Sequence, residues 1–518
     1  MLNETYRAML GHKSVIRETF MYGKQRAAEI GYENVFDYSL GNPSVPCPDK
    51  FTKAMQTLLA EEEPVALHGY CPSQGDPGFR TAVAAHLAKT FGLPYEQKDI
   101  FPTTGAAGAI AHAIRAVTKP GDEVLTFAPY FPEYGPYVEG TGAVLKVVPP
   151  QAPAFQPNLD AFEEMLTENV TCVLINTPNN PTGVVYSAET LSRLADILTE
   201  KSKVFGHNIF LVSDEPYRDI AFDGKKVPYP AAFYPHTLTC FSFSKSLSLP
   251  GERLGYVAVR PGCEGEDVLV DMMAQISRFT GHNCPPSIIQ KATAECLDVT
   301  SDLSVYETNM NLLYDKLTEL GFEVERPGGT FYIFPKALEE DANAFCLKAR
   351  EFDLLLVPSD TFGVKGYVRF AYCIDTEKVK RSLPALEKLA AAYKRGTKMH
   401  PLHPLPEYPR PSMRRDSYVN LNGPWDYAIT QSSEFPAKWD GQILVPYSPE
   451  AKASGVGRTL QPGQWLHYHR TFTPPAGEGG RVLLHFGAVD YACAVEVNGR
   501  LAGGHRGGYW PFTLDITD

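Results

Sequence analysis

The chain has 518 residues, of which 44% are hydrophobic and 21% charged, and its formal net charge is −12. These values are typical of folded globular proteins and exclude a largely disordered chain. An acidic balance argues against a general nucleic-acid binder, which presents a basic surface. The ten cysteines include no Cys-x-x-Cys pair, so we expect free thiols in a reducing compartment and no metal site.

The chain divides into two regions of different composition. Its start lacks an apolar signal core, and no apolar stretch is long enough to cross a membrane, which predicts a cytoplasmic protein without a membrane span. A proline-rich stretch at 398–412 predicts an extended linker. Every tryptophan of the chain lies beyond it: Trp425, Trp439, Trp465 and Trp510.

Before the linker, helical and strand patterns alternate. Residues 77–91 have the pattern of an amphipathic helix, and short apolar runs at 122–127, 170–176, 209–213 and 239–243 predict strands. Continuous apolar strands separated by helical segments indicate a buried, mostly parallel sheet that is covered by helices. The fold class of this region is therefore α/β.

After the linker, apolar and polar residues alternate between glycine and proline turns. Strands are predicted at 481–486, 494–497 and 512–516, and Asn498-Gly499 predicts a hairpin turn. This pattern is typical of a C-terminal β-sandwich of the jelly-roll kind.

Lys245 is the first candidate for chemistry. It follows a predicted strand together with Ser242 and Ser244, and Arg253 comes shortly afterwards in a Gly-x-Arg-x-Gly-Tyr motif. A lysine next to an arginine has a lowered pKa and can form a Schiff base with a carbonyl cofactor. Hydroxyls and an arginine also suit a phosphate. The alternative is an ordinary solvated loop lysine.

Three further stretches place polar or small residues at strand ends. Asn180 lies in a Thr-Pro-Asn-Asn-Pro-Thr-Gly turn, Asp214 and Tyr217 follow the next strand, and a Gly-rich segment at 103–110 opens a helix. A buried carboxylate can hold a pyridinium nitrogen protonated, and a helix start can bind phosphate. Each stretch alone also has a structural explanation: a turn, a helix N-cap and close helix packing, respectively.

Together and in this order, these motifs resemble those of the fold-type I pyridoxal-phosphate enzymes, and within them the class I/II aminotransferases. The resemblance covers roughly residues 1–395. It implies a large cofactor-binding domain at 46–289 and a small α+β domain formed by 1–45, with its N-terminal arm, and 290–397. A separate β-sandwich is expected at 413–518.

The resemblance implies a role for each of these residues. Lys245 would be the Schiff-base lysine and the proton shuttle, Asp214 would pair with the pyridine nitrogen, and Asn180 and Tyr217 would hold the 3-oxygen of the ring. The groups implied to hold the phosphate are Ser242, Arg253 and the backbone of Gly105, Ala106 and Ala107. The two alanines depart from many relatives, which have a hydroxyl or amide there, so one side-chain contact to the phosphate is expected to be missing.

Other segments match the family's remaining contacts to cofactor and partner. Phe131 matches the aromatic residue that stacks on the cofactor, with Tyr130 and Tyr134 as alternatives. Tyr70 matches a tyrosine that reaches across a dimer to the neighbouring phosphate, which implies a homodimer.

The substrate-binding residues follow from the same resemblance. Arg369, in an edge-like strand at 366–372, matches the arginine that grips the α-carboxylate of the substrate, and Gly41 and Asn42 would approach the same carboxylate. Arg278 lies near the place where aspartate-type relatives carry an arginine for a second carboxylate. It therefore suggests a preference for dicarboxylate substrates.

The implied reaction is the pyridoxal 5'-phosphate-dependent transfer of an amino group between an L-amino acid and a 2-oxo acid. Related chemistry on the same fold remains an alternative: a C–S lyase, a decarboxylase or a cyclopropane-forming synthase. A cofactor-sensing regulator is disfavoured by the negative charge. A third alternative is a carbohydrate-binding module joined to an inactive aminotransferase-like part.

The region from about 410 to 518 has a resemblance of its own. Its motifs at 420–427, 445–450, 495–500 and 505–516 resemble the N-terminal sugar-binding domain of family 2 glycoside hydrolases. The paired glutamates of glycoside hydrolysis have no place here, so we expect a partial domain with weak carbohydrate binding and no glycosidase activity. Trp425 and Trp510 are expected to serve in core packing and interdomain contact rather than in sugar binding.

Overall fold

The computed structural model describes residues 15–397, 418–473 and 480–517, together with Leu2, Arg7 and Pro404. The chain forms two compact units, Met1–Ala391 and Ala392–Asp518. The division falls slightly before the expected linker at 398–412, and that stretch lies outside the described residues except for Pro404.

The first unit has an α/β fold. Its strands are β1 (Phe36–Asp37), β2 (Ile100–Thr103), β3 (Glu123–Phe127), β4 (Val144–Val148), β5 (Val170–Asn176), β6 (Phe210–Asp214), β7 (Thr237–Ser242), β8 (Gly255–Val259), β9 (Tyr332–Ile333), β10 (Leu354–Leu355), β11 (Val357–Pro358) and β12 (Val368–Ala371).

Helices connect and cover these strands. They are α1 (Val15–Ile30), α2 (Asp49–Glu61), α3 (Pro64–His68), α4 (Pro77–Phe91), α5 (Gly105–Val117), α6 (Tyr134–Glu139), α7 (Leu159–Met165), α8 (Ala188–Phe205), α9 (Phe243–Ser246), α10 (Leu269–Thr280), α11 (Ser287–Ala294), α12 (Ser304–Glu319), α13 (Ala342–Arg350) and α14 (Thr376–Thr397). In the part of the chain described above, no helix combines the length and the apolar content that a membrane crossing needs.

The main sheet has seven strands in the order β2-β8-β7-β6-β5-β3-β4. Strands β3 to β7 pair in parallel, whereas β8 runs antiparallel to both β7 and β2. The prediction of a mostly parallel sheet is therefore confirmed. Because parallel strands end at the same edge, the segments that follow β5, β6 and β7 meet there.

Both faces of this sheet are buried, which explains the continuous apolar runs. On β3, Leu125 packs into one core cluster and its neighbour Val124 into another. The same alternation holds on β5 for Val173 and Cys172. Side chains of successive residues point to opposite faces, so a sheet covered on both sides needs an apolar residue at every position.

Local signals set the ends of helix α4 as the sequence predicts. The Asp76 side chain accepts a hydrogen bond from the Phe79 N–H at 2.8 Å, and Pro77 occupies the first turn. At the other end Gly92 has a φ of 72°, a left-handed conformation that costs glycine little. The cap, the proline and the glycine together explain the observed span.

Two smaller sheets lie in the same unit. One has the order β11-β12-β9, and the other pairs β1 with β10 in parallel. The strand that carries Arg369 was predicted to be an edge strand, and this prediction is wrong: β12 is the central strand, paired on both sides. Its residues Val368–Ala371 are all buried, as befits a strand with neighbours on both sides.

The second unit contains antiparallel strands. They are β13 (Gly423–Thr430), β14 (Gly441–Val445), β15 (Trp465–His469), β16 (Leu483–Phe486), β17 (Ala492–Val497), β18 (Arg500–Arg506) and β19 (Phe512–Asp515). They form a sheet of order β14-β13-β15 and two pairs, β16-β19 and β17-β18. The predicted hairpin is confirmed: Asn498 and Gly499 both have positive φ between β17 and β18, as a type I′ turn requires.

Burial in the second unit is sparse. Among its described residues, the buried apolar ones are Tyr427, Ala428 and Ile443, together with Pro404, Gly423 and Pro449, and no described residue in 480–517 is buried. Trp425 is half-buried, and its indole N–H donates to the Leu421 carbonyl at 2.9 Å. Trp510, in contrast, is 73% exposed, so the expectation of core packing is wrong for this residue, whereas the expectation of interdomain contact stays a prediction.

Candidate active site

Lys245 lies on the short helix α9, directly after strand β7. Its ammonium group donates a hydrogen bond to the Gly41 carbonyl at 2.7 Å and lies 5.3 Å from the centre of the Phe331 ring. Burial lowers the pKa of Lys245 to about 8, and the positive charges of Arg253 and Arg369 act in the same direction. A solvated loop lysine would show neither the contacts nor the shift.

Asp214 ends strand β6 and is 5% exposed. Its Oδ2 accepts hydrogen bonds from the Tyr134 hydroxyl at 2.6 Å and the Asn176 amide at 3.4 Å. Its Oδ1 is buried and has no hydrogen-bond partner among the described residues. Burial raises the pKa of Asp214 to about 7, although the Tyr134 hydroxyl opposes this by stabilising the charged form. One oxygen of the carboxyl group therefore lacks a hydrogen-bond donor.

Arg369 is almost completely buried but pairs with no carboxylate among the described residues. Its Nη1 donates to Asn180 Oδ1 at 3.1 Å and its Nη2 to the Ser39 carbonyl at 2.6 Å. Its Nε is buried and unpartnered in this part of the chain. The guanidinium carbon lies 4.6 Å from the centre of the Tyr332 ring. The partners of the Arg369 guanidinium are therefore neutral, and its positive charge remains available to a ligand.

Asn180 and Tyr217 stand close to these charged groups. Since Asn180 Oδ1 accepts from Arg369, its amide NH2 is the part of the side chain that can donate to a ligand. The Tyr217 hydroxyl lies 3.2 Å from the Tyr332 hydroxyl. Both Asn180 and Tyr217 are 5% exposed, so their polar atoms belong to the interior.

A second group of residues surrounds the start of helix α5. Gly105 has a φ of 80°, and a Cβ there would lie 2.8 Å from Arg253 Nη2. Arg253 donates to the carbonyls of Pro250 at 2.9 Å and Thr104 at 3.3 Å, and Ser242 is buried at the end of β7. The first turn of α5, with Ala106 and Ala107, contributes free backbone N–H groups, as every helix start does.

The remaining predicted residues make fewer contacts with the buried residues of the site. Phe131 is half-buried, with its ring edge-to-face to Tyr134 at 5.8 Å. Gly41 supplies the carbonyl that Lys245 contacts, whereas Asn42 is exposed. Tyr70 is fully exposed, and Arg278 is exposed near the end of α10. Within a single chain, therefore, Tyr70 and Arg278 do not join the buried group.

Sequence reasoning missed three residues of the site. Tyr134 was considered only as a stacking ring, yet its hydroxyl contacts Asp214. Asn176 donates to Asp214 and accepts from the Asn180 N–H at 2.6 Å, and Tyr332 lies against Arg369 and Tyr217. Asn176 had a signal, because a polar residue that closes a buried apolar strand needs partners. Tyr332 had no such signal, because its strand has only two residues and therefore shows no periodic pattern.

With this geometry in hand, comparison with known proteins identifies the family. Residues 33–386 match the model of the family described as aminotransferase class I and II. The chain belongs to this family. The match ends within the first unit, and the resemblance drawn from the motifs of that unit is thereby confirmed.

Similar proteins agree with this assignment. A probable N-acetyl-LL-diaminopimelate aminotransferase of Bacillus subtilis is 29% identical over 69% of this chain and 89% of its own length. An aspartate/prephenate aminotransferase of Thermus thermophilus is 29% identical over 66% and 88%. The crystal structure of an aminotransferase from Eubacterium rectale is 45% identical, covers 76% of this chain and 99% of its own, and has a TM-score of 0.74.

The chain is therefore a pyridoxal-phosphate-dependent aminotransferase, which transfers an amino group between an amino acid and a 2-oxo acid. Its residues fit the cofactor. The unpartnered Asp214 Oδ1 can accept a hydrogen bond from a protonated pyridine nitrogen, and the glycine at 105 lets the Arg253 guanidinium approach the start of α5, where a phosphate can bind. The half-buried amine of Lys245, with its lowered pKa, completes the set.

We predict that Tyr134→Phe lowers the affinity of the protein for its cofactor. The variant removes the hydroxyl that lowers the pKa of Asp214, so the carboxyl becomes protonated at a higher pH. A hydrogen bond to a charged group contributes about 1.5–3 kcal/mol. We therefore expect cofactor affinity, measured by fluorescence titration of the apoprotein, to fall at least about tenfold, with the loss greatest at or below neutral pH.

The matched control for this experiment is Tyr234→Phe. Tyr234 is also buried, but its hydroxyl donates to the Ile209 carbonyl at 2.7 Å, away from Asp214. This variant should lose stability without changing the pH dependence of cofactor binding. Equal cofactor affinity and pH dependence in Tyr134→Phe and the wild type would contradict the role assigned to Tyr134.

Proposed function

We propose that the buried centre of the first unit performs amino transfer with Lys245 as its catalytic base. When bound, pyridoxal phosphate supplies an aldehyde and an electron-withdrawing ring. Lys245 Nζ would bind the aldehyde carbon in the resting enzyme, remove the proton from the substrate α-carbon, and deliver it to C4′ of the cofactor. Its pKa of about 8 supports this role, because only an unprotonated amine can accept the proton.

Asp214, Asn180, Tyr217 and Phe131 are proposed to hold the ring. Asp214 Oδ1 would accept a hydrogen bond from the ring nitrogen. The positive charge there restores the ionised form of a carboxyl that burial otherwise keeps close to neutral. The Asn180 amide and the Tyr217 hydroxyl would donate to the 3-oxygen, and Phe131 would stack on the ring face.

Ser242, Arg253 and the backbone of Gly105, Ala106 and Ala107 are proposed to hold the phosphate. The guanidinium of Arg253 stands beside Gly105, where the start of α5 adds a favourable dipole. Tyr70 would complete the phosphate site from a second copy of the chain in a homodimer. Its full exposure within one chain supports a partner that lies outside that chain.

The substrate is proposed to be an amino acid whose α-carboxylate binds Arg369. Neutral partners hold this guanidinium, so an incoming carboxylate would be its first counter-charge. Gly41 and Asn42 would approach the same group. A preference for dicarboxylates rests on Arg278 and on the similar proteins, which include aspartate aminotransferases of Geobacillus stearothermophilus and, with maleate, Thermus thermophilus. Arg278 is exposed, so it would serve the site of a partner subunit.

The organisation of the chain is proposed to follow the same family pattern. The seven-stranded sheet spans 100–259 and belongs to a large domain at 46–289, while 1–45 and 290–397 form the small domain. The pairing of β1 with β10 supports a small domain that is formed by the start of the chain together with 290–397. Ten free cysteines support a cytoplasmic location.

Replacement of Lys245 tests the central assignment. Borohydride reduction of the wild-type holoenzyme should fix the cofactor to the peptide that contains Lys245, as peptide mass analysis would detect. In Lys245→Ala we expect no fixed cofactor and a transamination rate lower by at least about 10³-fold. Lys225→Ala, which replaces an exposed lysine, is the control and should retain both properties. A Lys245→Ala variant that transaminates at the wild-type rate would refute the assignment.

Arg278→Leu tests the preference for dicarboxylates. Loss of a charge-assisted hydrogen bond should lower kcat/KM for aspartate and glutamate at least about tenfold, while values for alanine and phenylalanine should change little. Arg193→Leu, which replaces another exposed arginine, should leave the whole panel unchanged. Unaltered kinetics with aspartate and glutamate in Arg278→Leu would show that the second carboxylate binds elsewhere.

We further propose that 413–518 is a partial β-sandwich that binds carbohydrate weakly, as its resemblance to the sugar-binding domain of family 2 glycoside hydrolases implies. Its antiparallel strands support the sandwich. The flat, exposed rings of Tyr491, Tyr509 and Trp510 support a surface on which a sugar ring can stack.

Tryptophan fluorescence tests this second function, because every tryptophan of the chain lies in this region. Hexose disaccharides should change the emission at millimolar concentration, and the change should disappear in Trp510→Ala. Trp465→Phe, which alters a tryptophan on β15, should keep the response. Wild-type emission that is unaffected by any disaccharide would mean that the sandwich does not bind sugar.

A further inference from the structure

Two half-buried cysteines from distant parts of the sequence meet in the first unit. Cys71 Sγ and Cys284 Sγ lie 2.9 Å apart. Cys71 follows helix α3, and Cys284 follows helix α10. The roles proposed above do not use either thiol. Cys172, Cys240, Cys263, Cys296, Cys346 and Cys373 are buried, so small reagents can reach Cys71 and Cys284 more readily.

A network of hydrogen bonds holds the two segments together. Gln290, which is fully buried, accepts from the Asp76 N–H at 2.8 Å and donates to the Pro285 carbonyl at 2.6 Å. Its amide also lies 3.7 Å from Cys71 Sγ. The Ser287 hydroxyl donates to the Leu67 carbonyl at 2.6 Å. The thiols are therefore brought together by fixed neighbours on both sides.

The two thiols differ in acidity. Hydrogen bonding with Cys284 lowers the pKa of Cys71 to about 7, and the Gln290 amide acts in the same direction. The same contact raises the pKa of Cys284. Near neutral pH, Cys71 is thus substantially a thiolate, the reactive form in disulfide exchange, while Cys284 keeps its proton.

We propose that Cys71 and Cys284 form a redox modification site that closes to an intramolecular disulfide when the enzyme meets a small-molecule disulfide. The Cys71 thiolate attacks one sulfur of the oxidant, whose S–S bond breaks and releases the first small thiolate. Cys284 then loses its proton and attacks Cys71 Sγ, and the second small thiolate leaves. Relative to two thiols, the cysteine pair gives up two electrons and two protons: one proton passes to solvent when Cys71 ionises and the other when Cys284 does. The oxidant takes up the two electrons, and its two released thiolates take up two protons from solvent and become thiols.

The bond would join two segments that carry proposed site residues. Tyr70 immediately precedes Cys71, and Arg278 lies six residues before Cys284. A covalent link would restrict the movement of both segments relative to each other. Because any effect on catalysis rests on the roles proposed for Tyr70 and Arg278, the test reads the disulfide itself, so that failure of those roles and failure of this inference remain distinguishable.

The experiment exposes the holoenzyme to buffers with increasing ratios of oxidised to reduced glutathione. Acid quenching, alkylation and peptide mass analysis then identify the linked cysteines. We expect the wild type to show the Cys71 and Cys284 peptides joined with the loss of two hydrogens. Cys47→Ser and Cys493→Ser, which replace the other half-buried cysteines, should form the same link. In Cys284→Ala, Cys71 should instead carry one glutathione, since no second thiol can release it.

Alkylation of the reduced protein gives a second readout. The rate at Cys71 should rise with pH around a midpoint near 7. In Cys284→Ala this midpoint should move upward, because the donor that lowers the pKa is gone. The proposal is overturned if Cys71 and Cys284 stay reduced across the series, if either pairs with another cysteine or another subunit, or if Cys284→Ala leaves the midpoint unchanged.

Discussion

Removal of charged groups from water is the constraint on which the site depends. Burial shifts the pKa of Asp214 up to about 7 and that of Lys245 down to about 8, so it favours the neutral form of both. This suits the role proposed for Lys245, because only a neutral amine can act as nucleophile and base. For Asp214 it is a cost that Tyr134 and Asn176 offset only in part. In the proposed arrangement, a protonated ring nitrogen at Oδ1 would supply the missing charge, which would link cofactor binding to the ionisation of Asp214.

The same logic explains the surroundings of Arg369. A buried guanidinium is stabilised poorly without a counter-charge, yet here an amide oxygen, a backbone carbonyl and an aromatic ring are its partners. A resident carboxylate would hold the arginine better and would also compete with the substrate carboxylate that is proposed to bind there. Central placement on β12, with strands on both sides, keeps the guanidinium fixed while its charge remains available. The surroundings of Arg369 thus suit the carboxylate binding proposed for it.

Much of the first unit follows from the sequence because its signals are local. Apolar runs locate β3, β5, β6 and β7, and the caps of α4 set that helix within its observed bounds. Residues that work through distant contacts escape such reasoning. Tyr134 meets Asp214 across 80 positions of sequence and Cys71 meets Cys284 across 213. The central position of β12 was missed for the same reason, since its neighbours are two-residue strands with no periodicity of their own.

In the second unit, the sequence pattern predicts the strands but not the burial of their residues. Along β16, β17 and β19, half-buried residues alternate with exposed ones, which is the period that a sheet with one covered face imposes. The alternation and the Asn498-Gly499 turn therefore sufficed to predict these strands. They did not suffice to predict burial, because burial depends on what lies opposite the apolar face. In the described part of 480–517 that face is only half covered: Phe512 stacks on Phe486 at 4.7 Å and on His505 at 4.5 Å, but no residue becomes fully buried. Alternation with a period of two residues thus shows which face of a strand is apolar. A core also requires a second layer of structure against that face, which local sequence does not encode.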